Sequence, residues 1–90
     1  MIAKRIEYSK RFSDKWRRLP AQIKKIALMK EALLRSNPLH PSLRLHQLHG
    51  KYIGSWSISI TEKYRIIFEQ QDDGLIVFSS IGNHDIYRYL

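Results

Sequence analysis

The chain has no cysteine, only three prolines and four glycines, and half as many acidic side chains as basic ones. Without cysteine, disulfide staples and Cys-ligated zinc sites are excluded, and a reducing compartment is the simplest setting. No apolar run approaches the roughly 20 residues that span a bilayer. The opening MIAKRIEYSK lacks the long apolar core and small-residue cleavage site of a signal peptide. A soluble, cytoplasmic protein with no membrane partner is expected. Neither G-x-x-x-x-G-K nor G-x-G-x-x-G occurs, so a P-loop or dinucleotide site has no motif behind it, and the four histidines do not form H-E-x-x-H. No metal and no organic cofactor are inferred. A helix-turn-helix reader is not recognisable either, because the helices are followed by most of the sheet rather than by a reader helix.

What is present in excess is positive charge. Ninety residues make one domain, 1–90, with a modest core, and they carry a formal charge of +8. Residues 1–49 hold twelve Lys and Arg against three Asp and Glu, whereas residues 50–90 hold four against five. A solvated helical surface accounts for most of these lysines taken singly. An excess of this size on one half is costly through self-repulsion unless ions or a polyanionic partner offset it. Nucleic acid or an acidic protein is the partner this implies.

The apolar residues set out the elements. Residues around Ile2 to Tyr8 alternate well enough for a short opening strand, and Ser9 can cap a helix starting after it. Phe12, Trp16 and Leu19 recur at helical spacing until Pro20 stops them. From Ala21 the spacing of Ile23, Ile26, Ala27, Leu33 and Leu34 predicts a second amphipathic helix ending near Arg35. The linker SNPLHP precedes an alternation running from Tyr52 through Gly54, Trp56 and Ile58 to Ile60, which predicts a strand. Thr61 to Lys63 form a turn, YRIIFEQ a further strand, Asp72 to Gly74 a hairpin turn, and LIVFSSI a last strand whose apolar density places it inside the sheet. The fold class expected is α+β: an N-terminal strand and an antiparallel helical hairpin packed on a mainly antiparallel sheet of about four strands.

Alternation also assigns faces. With Tyr64, Ile66 and Phe68 under the helices, Arg65, Ile67 and Glu69 point the other way, where Ser55, Ser57 and Ser59 leave room for a ligand. A guanidinium fixed on such a face can hold a phosphate through two hydrogen bonds.

The run LHQLHGKYIGSWSISITEKYRIIFEQQDDGLIVFSSIGNHDIY resembles toxins of the RelE/ParE superfamily. Those toxins carry a Leu-x-Gly element, a strand leading to a Tyr/His-Arg-aliphatic-aliphatic-aromatic stretch, a short turn, and a final strand with a His-containing tail. The likeness covers essentially the whole chain, opening strand and basic helices included. It implies a compact RelE-like toxin of a type II toxin-antitoxin pair. In the RelE, YoeB, HigB and YafQ branches it implies a ribosome-dependent mRNA endoribonuclease, and in the ParE branch a protein that acts on DNA gyrase. The expected partners are a cognate antitoxin and the ribosome with its mRNA, with gyrase as the alternative.

Residue by residue, the resemblance puts Arg65 at the strand arginine that binds the scissile phosphate. It puts His84 at the tail histidine used in proton transfer, and His46 where YafQ-like members have a histidine. Tyr87 falls near the terminal aromatic that supports the substrate base, one residue closer to His84 than in the YafQ-like pattern, and Arg88 comes next as a substrate-binding candidate. Departures are as definite. Ser42 stands where YoeB-like toxins have a carboxylate, the lysine pair of RelE proper is not evident, and Ser59 and Lys63 replace a YafQ-like histidine and aspartate. The resemblance therefore supports the superfamily better than any one catalytic scheme.

Metal-independent RNA cleavage by attack of the 2′-hydroxyl needs a base, an acid and a cation at the phosphate. Histidine suits the first two roles and arginine the third. His84 and His46 are assigned as acid and base in either order, with His49 in reserve, and Lys24 and Lys25 as contacts to ribosomal RNA. Each has a plainer reading: His84 as a strand end, His46 as a loop residue, His49 as local structure beside Gly50, Tyr87 as packing of the tail. A noncatalytic RNA-binding or antitoxin-binding homologue is the third possibility.

Overall fold

In the computed structural model, residues 5–71 and 74–83 are described. The chain runs β1 (Arg5–Tyr8), α1 (Lys10–Arg17), α2 (Ala21–Ser36), β2 (His46–Gln47), β3 (Ser55–Ser59), β4 (Arg65–Gln70) and β5 (Leu75–Gly82). Ser9 caps α1 as its position suggests: its Oγ accepts the Phe12 amide at 3.1 Å and donates to the Ser79 carbonyl at 3.1 Å, tying the helix start to β5. Pro20 lies between the helices, which are joined by three residues.

The five strands form one sheet in the order β1-β5-β4-β3-β2. β1 and β5 are parallel and the other pairings antiparallel. The apolar last strand is interior, between β1 and β4, as its composition predicts. The expected sheet of about four strands gains a fifth, β2, whose two residues pair with β3 as His46↔Ser57 and Gln47↔Trp56. Two residues are too few to leave an alternation pattern.

The predicted start of β3 is corrected. Gly50–Tyr52 form a 3-10 turn and Gly54 has φ +93°, so the strand begins at Ser55. No atom lies within 4 Å of a Cβ built at Gly54, so glycine is required there by backbone conformation and not by space. The turn after β3 is held by Thr61, whose Oγ1 accepts the amides of Lys63 and Tyr64, each at 3.2 Å. Asp72 and Asp73 of the predicted hairpin turn lie outside the described residues. The closing bond from the Gln71 amide to the Leu75 carbonyl is 2.8 Å, and Gly74 has φ +83°.

The main core lies between sheet and helices. Ile58, Ile66, Phe68, Ile76, Phe78 and Ile81 meet Phe12, Ala27 and Leu34 there, with Trp16 and Trp56 packed at the margin. Phe78 is the hub: its ring lies 5.4 Å from Phe12, 5.7 Å from Tyr8 and 6.2 Å from Phe68, joining β5 to α1, β1 and β4. Replacing it with Ala should destabilise the fold by about 3–5 kcal/mol, measurable as a lowered urea midpoint at unchanged slope. A loss near that of an exposed site would show that the cluster does not hold these elements together.

Candidate active site

The face of the sheet turned away from the helices is set by the pairing. Ser59, Arg65 and Gly82 lie side by side across β3, β4 and β5, and the next row is His46, Ser57, Ile67 and Ser80. Directly paired residues share a face. Arg65, His46 and three serines are therefore on one side of the sheet, while Ile66 and Phe68 are buried on the other. Arg65 is half-buried, and among the described residues no ion pair engages its guanidinium.

His46 is exposed on the edge strand, two strands from Arg65 and one row along, a Cα separation on the order of 12 Å. Side chains of that length can address one phosphodiester from two sides. His49 is also exposed, with its ring edge-on to His46 at 6.3 Å. The face is less open than its serines suggest. Leu48 packs on Ile67, with Tyr52 against them, so the chain leaving β2 covers part of the second row. In that row Ser57 is buried, and among the described residues its Oγ has no hydrogen-bond partner.

Lys24 and Lys25 are not part of this grouping. Both are in the first turns of α2, on the helical side of the sheet. Lys24 Nζ lies 3.5 Å from the Arg17 carbonyl, and Lys25 is exposed. His84, Tyr87 and Arg88 lie outside the described residues.

Two features escape a reading of single residues. One is a cavity of about 370 Å³ between the helices and the sheet, lined by Tyr8, Phe12, Trp16, Leu28 and Glu31 among others. The Tyr8 hydroxyl donates to Glu31 at its rim, and burial, then this bond, raises the tyrosine pKa. It lies on the side of the sheet opposite Arg65. The other is Lys15, on α1, whose Nζ donates to the buried Ser80 Oγ at 3.1 Å. Burial first, and the charge of Arg11 second, lower the pKa of Lys15. The signal for it in the sequence is the spacing of Arg11, Lys15 and Arg18, one flank of a helix.

Comparison with known proteins gives a consistent family. The model for the bacterial YafQ toxins of type II toxin-antitoxin systems matches residues 4–88. No curated protein matches the chain. YafQ in the Escherichia coli DinJ-YafQ complex is 25% identical, over 89% of this chain and 92% of that one, with a TM-score of 0.63. The Agrobacterium tumefaciens YoeB/ParE toxin has a TM-score of 0.75 at 18% identity, over 89% of this chain and 98% of that one. A chain of the heterotetrameric YoeB-YefM complex of Staphylococcus aureus has a TM-score of 0.72 at 18% identity, over 89% and 95%. The last two show the fold alone.

An orphaned hydroxyl is a cost to folding. Ser57→Ala should leave stability unchanged or raise it by about 1 kcal/mol, read from the urea midpoint. A clear loss would mean that Ser57 is hydrogen-bonded within the free protein.

Proposed function

The chain belongs to the YafQ family of bacterial toxins from type II toxin-antitoxin systems, and on that premise we propose that it cuts mRNA on the ribosome. The cut is metal-independent and made on the sheet face that carries Arg65. The observation behind this reading is a half-buried arginine, free of carboxylates among the described residues, on one face with an exposed histidine. A guanidinium held without a counter-ion is prepared for an anion, and phosphate accepts it at two oxygens.

These groups set the chemistry. The 2′-hydroxyl of the message attacks the adjacent phosphorus, its proton passing to a histidine. The 5′-oxygen leaves with a proton from a second acid, giving a 2′,3′-cyclic phosphate. Arg65 stabilises the charge that gathers on the nonbridging oxygens. His46 is one proton-transfer group. His84, two positions after Gly82, the cross-strand partner of Arg65, is the other. His49 stands in reserve beside His46, and Tyr87 and Arg88 are assigned to the substrate. The ribosome orients the message, so a sparse set of groups suffices. Lys24 and Lys25, on the far layer, are then available to ribosomal RNA.

Regulation is assigned to a cognate antitoxin of acidic character. The net charge of +8 would draw such a chain in and speed its capture. The site of action on ribosomes makes the compartment the cytoplasm. The gyrase-directed alternative draws on no observation of its own in this structure.

Primer extension on purified ribosomes programmed with a defined mRNA tests the assignment. Arg65→Ala should slow cleavage by about 10²–10³-fold and His46→Ala or His84→Ala by about 10²–10⁴-fold, with folding checked for each. Cleavage by all three at the wild-type rate would remove these residues from the mechanism. An uncut message with active ribosomes and wild-type protein would remove the ribonuclease reading itself.

A further inference from the structure

β1 covers β5 only from Leu75 to Phe78. Beyond that point the outer edge of β5 is bordered by α1: Ser9 Oγ reaches the Ser79 carbonyl, and Lys15 Nζ reaches Ser80 Oγ. The helix is two-sided here. Ser13 and Arg17 line the cavity shared with α2. Arg11, Lys15 and Arg18, spaced at four and three residues, make up the opposite flank.

Lys15 is a cation without its anion. It is half-buried, and among the described residues no carboxylate lies within salt-bridge reach of it. The adjacent Asp14 is taken by Lys10 and Arg17. Its partner is a neutral hydroxyl, and Arg11 adds a like charge. Partial desolvation with no opposing charge raises the free energy of the free protein, and a bound anion would offset it.

The sheet places that vacancy beside the proposed cutting site. Ser80 is two residues from Gly82, which pairs with Arg65, so Ser80 and Arg65 are diagonal neighbours on one face. Their backbones are about 7–8 Å apart at such positions. The geometry points to Lys15 as a second phosphate-binding residue for the message, next to the scissile phosphate held by Arg65, with Arg11 and Arg18 continuing the track along α1. This rests on the ribonuclease reading and adds a substrate contact to it. The shared chemistry is a phosphodiester, and the message is distinguished from ribosomal RNA by experiment.

The test measures single-turnover cleavage of a defined mRNA at saturating protein, and separately the binding of each protein to purified ribosomes without message. Lys15→Met should cut roughly ten- to hundredfold more slowly, with binding to message-free ribosomes unchanged and the thermal midpoint unchanged or raised. Lys15→Arg should recover most of the rate. The exposed pair Arg11→Gln and Arg18→Gln together should slow cleavage in the same direction and flatten its dependence on salt. Wild-type cleavage by Lys15→Met would overturn the inference and leave the ribonuclease reading standing. Equal loss of binding to message-free ribosomes would overturn it in favour of a ribosomal RNA contact, and a fall in thermal midpoint accounting for the lost rate would make Lys15 structural. If the wild-type protein leaves the message intact, the ribonuclease reading falls and this inference falls with it.

Discussion

The register of β4 between β3 and β5 decides both what the core contains and what the outer face offers. Ile66 and Phe68 are buried against α1 and α2, and that burial fixes Arg65 and Ile67 on the opposite side. A slip of one residue would drive the guanidinium into the core and expose the phenyl ring, a change costing several kcal/mol. The position of the Arg65 guanidinium is thus enforced by hydrophobic packing beneath it and not by polar contacts of its own. The bulge at Ser79 restores that register after Phe68 pairs with Phe78, keeping Ser80 and Gly82 in line with Ile67 and Arg65.

Charge is placed on a different principle. Arg65 lacks an acidic partner among the described residues, and so does Lys15, although acidic residues are available to neighbouring cations such as Lys10 and Arg17. A fold selected for stability alone would pair or expose them. Left as they are, they raise the free energy of the isolated protein and lower that of a complex with a polyanion. The acidic antitoxin and the RNA strand proposed as partners both meet that condition.

Much of the fold was legible because periodicity reports burial. Phe12 and Trp16 marked α1, Ser9 its cap, and the alternation around Arg65 its face, all of which the structure bears out, whereas Leu19 packs on the core from beyond the end of the helix at Arg17. β2 was not legible, since a two-residue strand has no period. The start of β3 was overextended because Tyr52 and Gly54 continued an alternation that positive φ at Gly54 interrupts. Of the site, Arg65 was placed by its neighbours in sequence. Lys15 was missed because its significance depends on Ser80, sixty-five positions away, and no local pattern records that meeting. His84, Tyr87 and Arg88 lie outside the described residues, so their assignment still rests on resemblance.

The claim at the centre of this account is that the protein directs a ribose 2′-hydroxyl against its own phosphate. The most direct measurement is cleavage of ribosome-bound mRNA, comparing a message with ribose at the cut nucleotide and one with 2′-deoxyribose there. The account predicts a cut only in the first, ending in a 2′,3′-cyclic phosphate. An equal cut in both messages would contradict it.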